Sequence, residues 1–141
     1  MGVITLYASP DYLEKFGTPQ EVEDLDHHRL LSYGEYPYPF ANLNWHLSVG
    51  CLEGKTREPY MQINLGHSLV ALANQGIGIV TLAQESANFK NPEDRLVPVL
   101  PHIEGPQIDF YYIYPQHLKD SHRVQALGSY LQETVKREGL I

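Results

Sequence analysis

Residues Ile63–Leu82 read INLGHSLVALANQGIGIVTL, a stretch whose pattern changes twice along its length. Apolar residues recur at helical spacing in its middle, and Gly76 follows them as a residue type that commonly ends helices. The run Ile77–Leu82 is short and apolar, which is typical of a strand covered on both faces. The stretch therefore predicts a strand, a helix over Leu65–Gln75 and a second strand, which is the repeating unit of an α/β fold.

The residues on either side continue this alternation. A buried strand is predicted over Val3–Ala8, followed by a helix that Ser9 caps, Pro10 begins and Gly17 ends. The sequence patterns predict further strands over 28–33, 44–49, 60–64, 95–100 and 108–114, and further helices over 18–27, 83–89 and 121–138. The last helix carries the apolar stripe Val124, Leu127, Leu131 and Val135, which we expect to be buried. The predicted class is α/β, with a mixed sheet flanked by helices.

The chain length, the net charge and the cysteine count limit the possible functions. The 141 residues fit one domain, and ten Lys and Arg against seventeen Asp and Glu give a formal net charge of −7. A chain that binds DNA by itself should be basic, so nucleic-acid binding by this chain alone is not expected. The single cysteine, Cys51, excludes an internal disulfide and a thiolate-rich metal site. We expect a cytoplasmic protein with no membrane segment.

The sequence offers no catalytic constellation. No pair of His has the helical spacing of a metal site with a Glu between them, so no metal site is predicted. Gly76-Ile77-Gly78 follows a helix and precedes a strand, whereas a phosphate loop needs the reverse order, so no cofactor is expected. Gly76 is interpreted as a helix end and Gly78 as a point of close packing.

The turn Asn64–Ser68 carries the strongest binding signal. It leads from a strand into a helix whose first backbone N–H groups lack internal partners and lie at the positive end of the dipole. Gly66 would let a ligand approach the backbone, while Asn64, His67 and Ser68 add hydrogen-bonding groups. The alternative interpretation is that Asn64 only caps the helix and Gly66 only fits the packing.

A second candidate is the loop that begins at Tyr33. Its aromatic residues alternate with Pro37 and Pro39, a composition that fits a rigid apolar pocket wall with hydroxyl tips. The candidate residues of this wall are Tyr33, Tyr36, Tyr38 and Phe40. A proline-stiffened surface loop without a ligand is the alternative.

Four stretches in order resemble the effector domain of LysR-type transcriptional regulators. YASPDYLEKFGTPQEVEDLDHHRLL (Tyr7–Leu31) is similar to that family's entry into its second subdomain. Residues Ile63–Leu82 resemble its strand-helix-strand unit with the pattern Ala-x-x-Gly-x-Gly-Ile. DRLVPVLP (Asp94–Pro101) and FYYIYPQHLKDSHRVQALGSYL (Phe110–Leu131) resemble a following strand and the closing strand with the last helix.

The resemblance implies a periplasmic-binding-protein-like subdomain, truncated at its N-terminus. Residues 3–104 would form the second effector-binding subdomain, and residues 105–141 the closing strand and helix of the first. No DNA-binding domain would lie in this chain, and DNA would be contacted only through the missing N-terminal domain. The family's inducer cleft maps onto the two candidate regions already named, although Leu65 stands where family members often have Asp.

The expected function is sensing of an anionic small-molecule inducer, coupled to transcription through closure of the two subdomains. A solute-binding protein fragment of a transport system is the alternative, and a small α/β enzyme is a third possibility without a catalytic group to support it. We expect homo-oligomers, because an exposed strand edge over 108–114 and the stripe of the last helix would lack partners.

Overall fold

The computed structural model describes residues 2–34, 40–83, 94–109 and 111–137. The helices and strands in chain order are β1 (Gly2–Ala8), α1 (Pro10–Phe16), the 3-10 helix η1 (Val22–His27), β2 (Leu31–Tyr33), the 3-10 helix η2 (Phe40–Leu47), β3 (Met61–Ile63), α2 (Gly66–Asn74), β4 (Val80–Ala83), β5 (Val97–Val99), β6 (Gln107–Ile108) and α3 (His122–Arg137). A short 3-10 turn, Gln116–Leu118, precedes α3.

β1 is the central strand of the larger sheet. It pairs antiparallel with β4, with Ile4 opposite Ala83, and with β5, with Leu6 opposite Val99. Its first two residues also pair with β6. β2 and β3 form a parallel pair, and one parallel bridge between Leu30 and Ile79 joins that pair to the strand end that leads into β4. The α/β class with a mixed sheet is confirmed.

The sheet separates two apolar cores. Because successive side chains of a strand point to opposite faces, neighbouring residues contribute to different cores. One core contains Leu6, Ala8, Tyr12, Leu25, Leu30, Ile79, Val99 and Leu100, and lies on the side of α1 and η1. The other contains Tyr7, Leu31, Tyr33, Leu69, Ala73 and Val80, and lies on the side of α2. Helices therefore cover both faces, as predicted.

The sequence predicted α1 and its ends correctly. The Ser9 hydroxyl accepts a hydrogen bond from the Tyr12 N–H at 3.1 Å, which is the expected cap. Gly17 ends the helix with φ of 88°, a conformation that glycine adopts without steric cost. The next helix begins only at Val22, because the Asp24 carboxylate accepts from the backbone N–H groups of Gln20 and Glu21 and fixes the chain there.

Two predicted strands are wrong. Residues 44–49 were expected to form a strand, yet they lie in and after η2, where Trp45, Leu47 and Val49 pack against the core beside α1. Their alternating pattern reflects one buried side of an irregular segment rather than a strand.

The strand expected over 108–114 ends at Ile108. Beyond it, Tyr112 packs on α3: its hydroxyl donates to the Val124 carbonyl at 3.1 Å, and its ring lies against Gly128. The described residues of 108–114 therefore do not form the long strand edge on which the expected strand pairing between copies depended.

The remaining differences are smaller. α3 matches the predicted helix within one residue at each end. None of its residues with described side chains is buried, so the predicted burial of its apolar stripe is wrong. Leu127 is 50% exposed and Leu131 is 38% exposed. The helix expected over 83–89 begins at a residue that instead ends β4, and the rest of it lies outside the described residues.

Candidate functional site

The first turn of α2 has no side-chain cap. The cap position is Leu65, with extended φ and ψ of −108° and 110°, and its apolar side chain accepts no hydrogen bond. The Leu65 carbonyl accepts from the N–H groups of Ser68 and Leu69, at 3.1 and 3.2 Å. The N–H groups of Gly66 and His67 precede these bonds and have no acceptor within the helix. They are the donors that an anion would use.

Asn64 is not the cap that the sequence suggested. Its side-chain amide lies directly against Gly34, where a Cβ atom would collide with the Asn64 Oδ1 atom. Gly34 is buried, so its missing side chain provides the space that Asn64 occupies. The two glycine-containing turns, one after β2 and one after β3, therefore interlock.

Tyr33 lies beneath the start of α2. A Cβ atom on Gly66 would be 3.3 Å from the Tyr33 Cε1 atom, so the ring and the helix start are in close contact. The ring is buried, and its hydroxyl donates to the Thr81 carbonyl at 3.3 Å. Tyr33 thus supplies an apolar ring to the site, while its hydroxyl is directed to β4.

The structure brings Tyr33, Asn64 and Gly66 together, with His67 exposed and Ser68 half-buried in the same first turn. Tyr36 and Tyr38 lie outside the described residues. Phe40 begins η2, and its side chain also lies outside the described set.

Sequence reasoning missed a second polar cluster around Arg57. Its guanidinium is buried and bonds to the Asp26 carboxylate at 2.6 Å and to the carbonyls of Val22 and His46, at 3.2 and 3.3 Å. It also donates to the Val49 carbonyl. Because a buried arginine needs acceptors for its N–H groups, these bonds tie η1, η2 and the following loop together. An isolated Arg in a polar run gave no sequence signal for this role.

His46 is the most strongly perturbed titratable group of this cluster. It is fully buried, and its Nε2 atom bonds to the Leu31 carbonyl at 2.8 Å, so Nε2 carries the proton. The pKa of His46 is lowered to about 4, chiefly because burial disfavours the charged imidazolium; the nearby Arg57 charge lowers it as well, and the hydrogen bond to the Leu31 carbonyl opposes both effects. The imidazole is neutral at pH 7.

Open clefts lie at two other places. One of about 540 Å³ lies between Leu30, Asp26 and the loop that carries Cys51 and Arg57. Another of about 530 Å³ lies between Tyr112 and α3. Within the described residues, no group of three His, Cys, Asp or Glu side chains is placed to hold a metal ion, and no helix is long and apolar enough to cross a membrane.

A family model described as the LysR substrate binding domain matches residues 3–136. The chain belongs to this family. Among curated relatives, the uncharacterised HTH-type transcriptional regulator YhjC of Escherichia coli K12 is 29% identical over 96% of this chain and 46% of that protein. An uncharacterised HTH-type regulator of Haemophilus influenzae is 30% identical over 82% of this chain and 40% of that protein. The chain thus spans less than half the length of these two relatives.

Solved structures agree with this membership of the LysR substrate-binding family. The regulatory domain of CrgA, a LysR-type regulator from Neisseria meningitidis, superposes with a TM-score of 0.70 at 27% identity over 94% of this chain and 64% of that one. The effector domain of AmpR from Pseudomonas aeruginosa, at 14% identity, shares the fold with a TM-score of 0.68. The periplasmic-binding-protein-like fold and the identification as a LysR-type effector-sensing domain are confirmed. The relatives are transcriptional regulators, which are not enzymes.

Proposed function

We propose that this LysR substrate-binding domain senses a small anionic inducer, and that the first turn of α2 forms one wall of the inducer's cleft. The observation that carries the proposal is the uncapped helix start: Leu65 offers no acceptor to the N–H groups of Gly66 and His67. A bound carboxylate would supply that acceptor and would be stabilised by the helix dipole. The exposed His67 imidazole and the half-buried Ser68 hydroxyl add donors in the same turn.

In this proposal residues 3–104 form the second effector-binding subdomain, and residues 105–141, which leave its sheet after β6, supply a closing strand and helix to the first. Within the part of the chain that the structure describes, α3 contributes no residue to either apolar core, which supports this division. Inducer binding between the subdomains would favour the closed state and so change the DNA affinity of a cytoplasmic, homo-oligomeric regulator. DNA contact would be made by a helix-turn-helix domain of the whole protein.

The test is a titration followed by amide chemical shifts. The ¹⁵N-labelled chain is titrated with acetate, succinate and benzoate, and with acetamide as the uncharged match for acetate. We expect saturable shifts of the Gly66 and His67 amides with a carboxylate and none with acetamide, because the dipole interaction needs negative charge. Carboxylate shifts spread evenly over the surface, with none concentrated at Gly66 and His67, would contradict the proposed site.

A further inference from the structure

The two edges of β2 have different hydrogen-bonding partners. β3 pairs with one edge, as a parallel neighbour along all three residues. On the other edge, the backbone pairing among the described residues is the bridge between Leu30 and Ile79, with bonds of 2.8 Å from the Leu31 N–H to the Ile79 carbonyl and from the Ile79 N–H to the Arg29 carbonyl. Beyond that bridge, side chains of η2 bond to this edge of β2, and the Gln62 side chain of β3 also donates to the Tyr33 carbonyl at 3.1 Å.

The side chain of Asn44 bonds to the backbone of β2 at Tyr33. Its Oδ1 atom accepts from the Tyr33 N–H, and its Nδ2 atom donates to the Tyr33 carbonyl, both at 2.9 Å. One side-chain amide therefore satisfies both backbone groups of Tyr33, as a paired peptide unit in a sheet would do. Asn44 lies at a kink in η2, with φ of −102° and ψ of 23°.

The same segment is attached to β4. The Thr81 hydroxyl donates to the Leu43 carbonyl at 2.6 Å, and the Thr81 carbonyl accepts from the Tyr33 hydroxyl at 3.3 Å. Tyr33 is thus held at its backbone by Asn44 and at the far end of its ring by β4. The edge of that ring lies against Gly66, in the uncapped turn of α2.

We propose that Asn44 is a positioning residue of the candidate ligand site: its amide fixes the backbone of Tyr33 and thereby sets where the ring supports the start of α2. This inference rests on the proposed function for its ligand. Asn44 itself touches neither Gly66 nor His67 in any described contact, so it acts through Tyr33. A shift of η2 along β2 would reach the ligand site by the same route.

Asn74 provides a matched control. Its amide also bonds to backbone on both sides, donating to the Val70 carbonyl at 3.1 Å and accepting from the Arg95 N–H at 2.8 Å. It lies at the other end of α2 and has no described contact with Tyr33. Asn44→Ala and Asn74→Ala therefore remove comparable bonds, and only the first should move the Tyr33 ring.

The experiment compares the full chain carrying each substitution, and its primary measurement needs no ligand. The Gly66 Hα signals, which lie beside the Tyr33 ring, should lose part of their ring-current shift in Asn44→Ala and keep it in Asn74→Ala. Acetate affinity read at Gly66 should fall about fivefold in Asn44→Ala, the factor that one hydrogen bond is worth, and stay within about twofold in Asn74→Ala. Urea unfolding of each variant establishes that it is folded.

Asn44→Asp is the second variant in case Asn44→Ala does not fold. Its carboxylate can still accept from the Tyr33 N–H but cannot donate to the Tyr33 carbonyl, and we expect the same ring-current change at smaller size. Unchanged Gly66 Hα signals in a folded Asn44 variant would overturn the inference, whatever acetate does. Failure of acetate to bind the unsubstituted chain would instead count against the proposed function alone.

Discussion

At the scale of single residues, His46 and Arg57 show how far burial can change a side chain's properties. Both are polar, and both are buried beside the same backbone turns. His46 is neutral at pH 7, while the N–H groups of Arg57 donate to backbone carbonyls and to one carboxylate. The burial of each residue leads to a measurable prediction about stability.

His46 should make the protein less stable in acid. Its pKa is about 4 in the folded chain against an ordinary value of 6.5, so between those pH values the unfolded chain binds a proton that the folded chain does not. The stabilisation is complete above about pH 6.5 and is lost as the pH falls toward 4, to a total of about 3 kcal/mol. Urea unfolding at pH 7, 5.5 and 4.5 measures it.

His46→Gln is the control for this titration, because glutamine keeps a donor for the Leu31 carbonyl and does not ionise. Its free energy of unfolding should fall less steeply with acidification than that of the original chain. Asp24 and His28, whose pKa values are also lowered, are present in both proteins and cancel in the difference. Equal pH slopes for the two proteins would refute the assignment to His46.

Substitution of Arg57 should lower the free energy of unfolding far more than substitution of its ion-pair partner Asp26. The Arg57 side chain is 6% exposed, whereas the Asp26 side chain is 56% exposed. Arg57→Met leaves buried carbonyls of Val22 and His46 without their donor, and should lower the free energy of unfolding by about 3 kcal/mol or more. Asp26→Asn removes a pair screened by water and should cost less than about 1 kcal/mol. Similar losses for the two substitutions in thermal or urea unfolding would disprove this view.

At the scale of helices and strands, the start of α2 lacks a stabilising side-chain cap, and in the proposed function this leaves its first N–H groups available to a ligand. Leu65, 56% exposed, occupies a cap position where Ser, Asp or Asn would accept a hydrogen bond from the helix. Leu65→Ser should therefore raise the free energy of unfolding by about 1 kcal/mol. Leu65→Asp should stabilise similarly and also abolish the proposed carboxylate binding, because its own charge would occupy the site.

The two substitutions at Leu65 separate stability from binding. Calorimetric melting temperatures report the first effect, and acetate titration read at the Gly66 amide reports the second. The Leu65 prediction is contradicted if neither substitution raises the melting temperature.

The elements that sequence predicted well are those whose signals are local. α1 has Ser9, Pro10 and Gly17 at its ends, and the strand-helix-strand around α2 has an apolar face and Gly76, whose φ is 80°. Gly78 was correctly interpreted as a point of close packing, since a Cβ there would be 2.6 Å from the Arg29 carbonyl. These features depend on residues close in sequence, so a single chain reveals them.

The elements that sequence missed depend on distant partners. The sequence pattern of residues 44–49 predicts a strand because Trp45, Leu47 and Val49 alternate with polar residues. It is instead shaped by bonds from Asn44 to Tyr33 and from His46 to Leu31, across 11 and 15 residues. For the candidate site, the turn at Gly66 was found, but the buried Tyr33 hydroxyl and the contact between Gly34 and Asn64 required the fold.

At the scale of the whole molecule, the apolar surface of α3 and the segment before it stands apart from the two cores. Ile113 is 81% exposed, and Tyr111, Leu127, Tyr130 and Leu131 are all more than one third exposed. Monomeric proteins rarely leave such residues clustered in water. We therefore expect the chain as given to self-associate, by burial of this surface rather than by the strand pairing first expected.

Light scattering over a concentration series tests this association. The apparent mass should rise with concentration, and Leu131→Glu should reduce the rise by placing a charge within the surface. Leu52→Glu is the matched control, since Leu52 is 74% exposed but lies in the loop near Arg57. A strictly monomeric mass at millimolar concentration, or equal effects of both substitutions, would rule this surface out.

Among the described residues, one backbone bridge, between Leu30 and Ile79, joins the β2–β3 pair to the strand end before β4, and side-chain bonds connect β2 to β4 beyond it. Beyond that bridge, separation of β2 from β4 would break isolated side-chain hydrogen bonds and not a cooperative ladder of backbone hydrogen bonds. The end of β2 at Tyr33 can therefore separate from β4 and η2 at a lower free energy than global unfolding requires. Such opening would separate η2 from Tyr33 and so displace the ring that lies against the start of α2, where the inducer is proposed to bind.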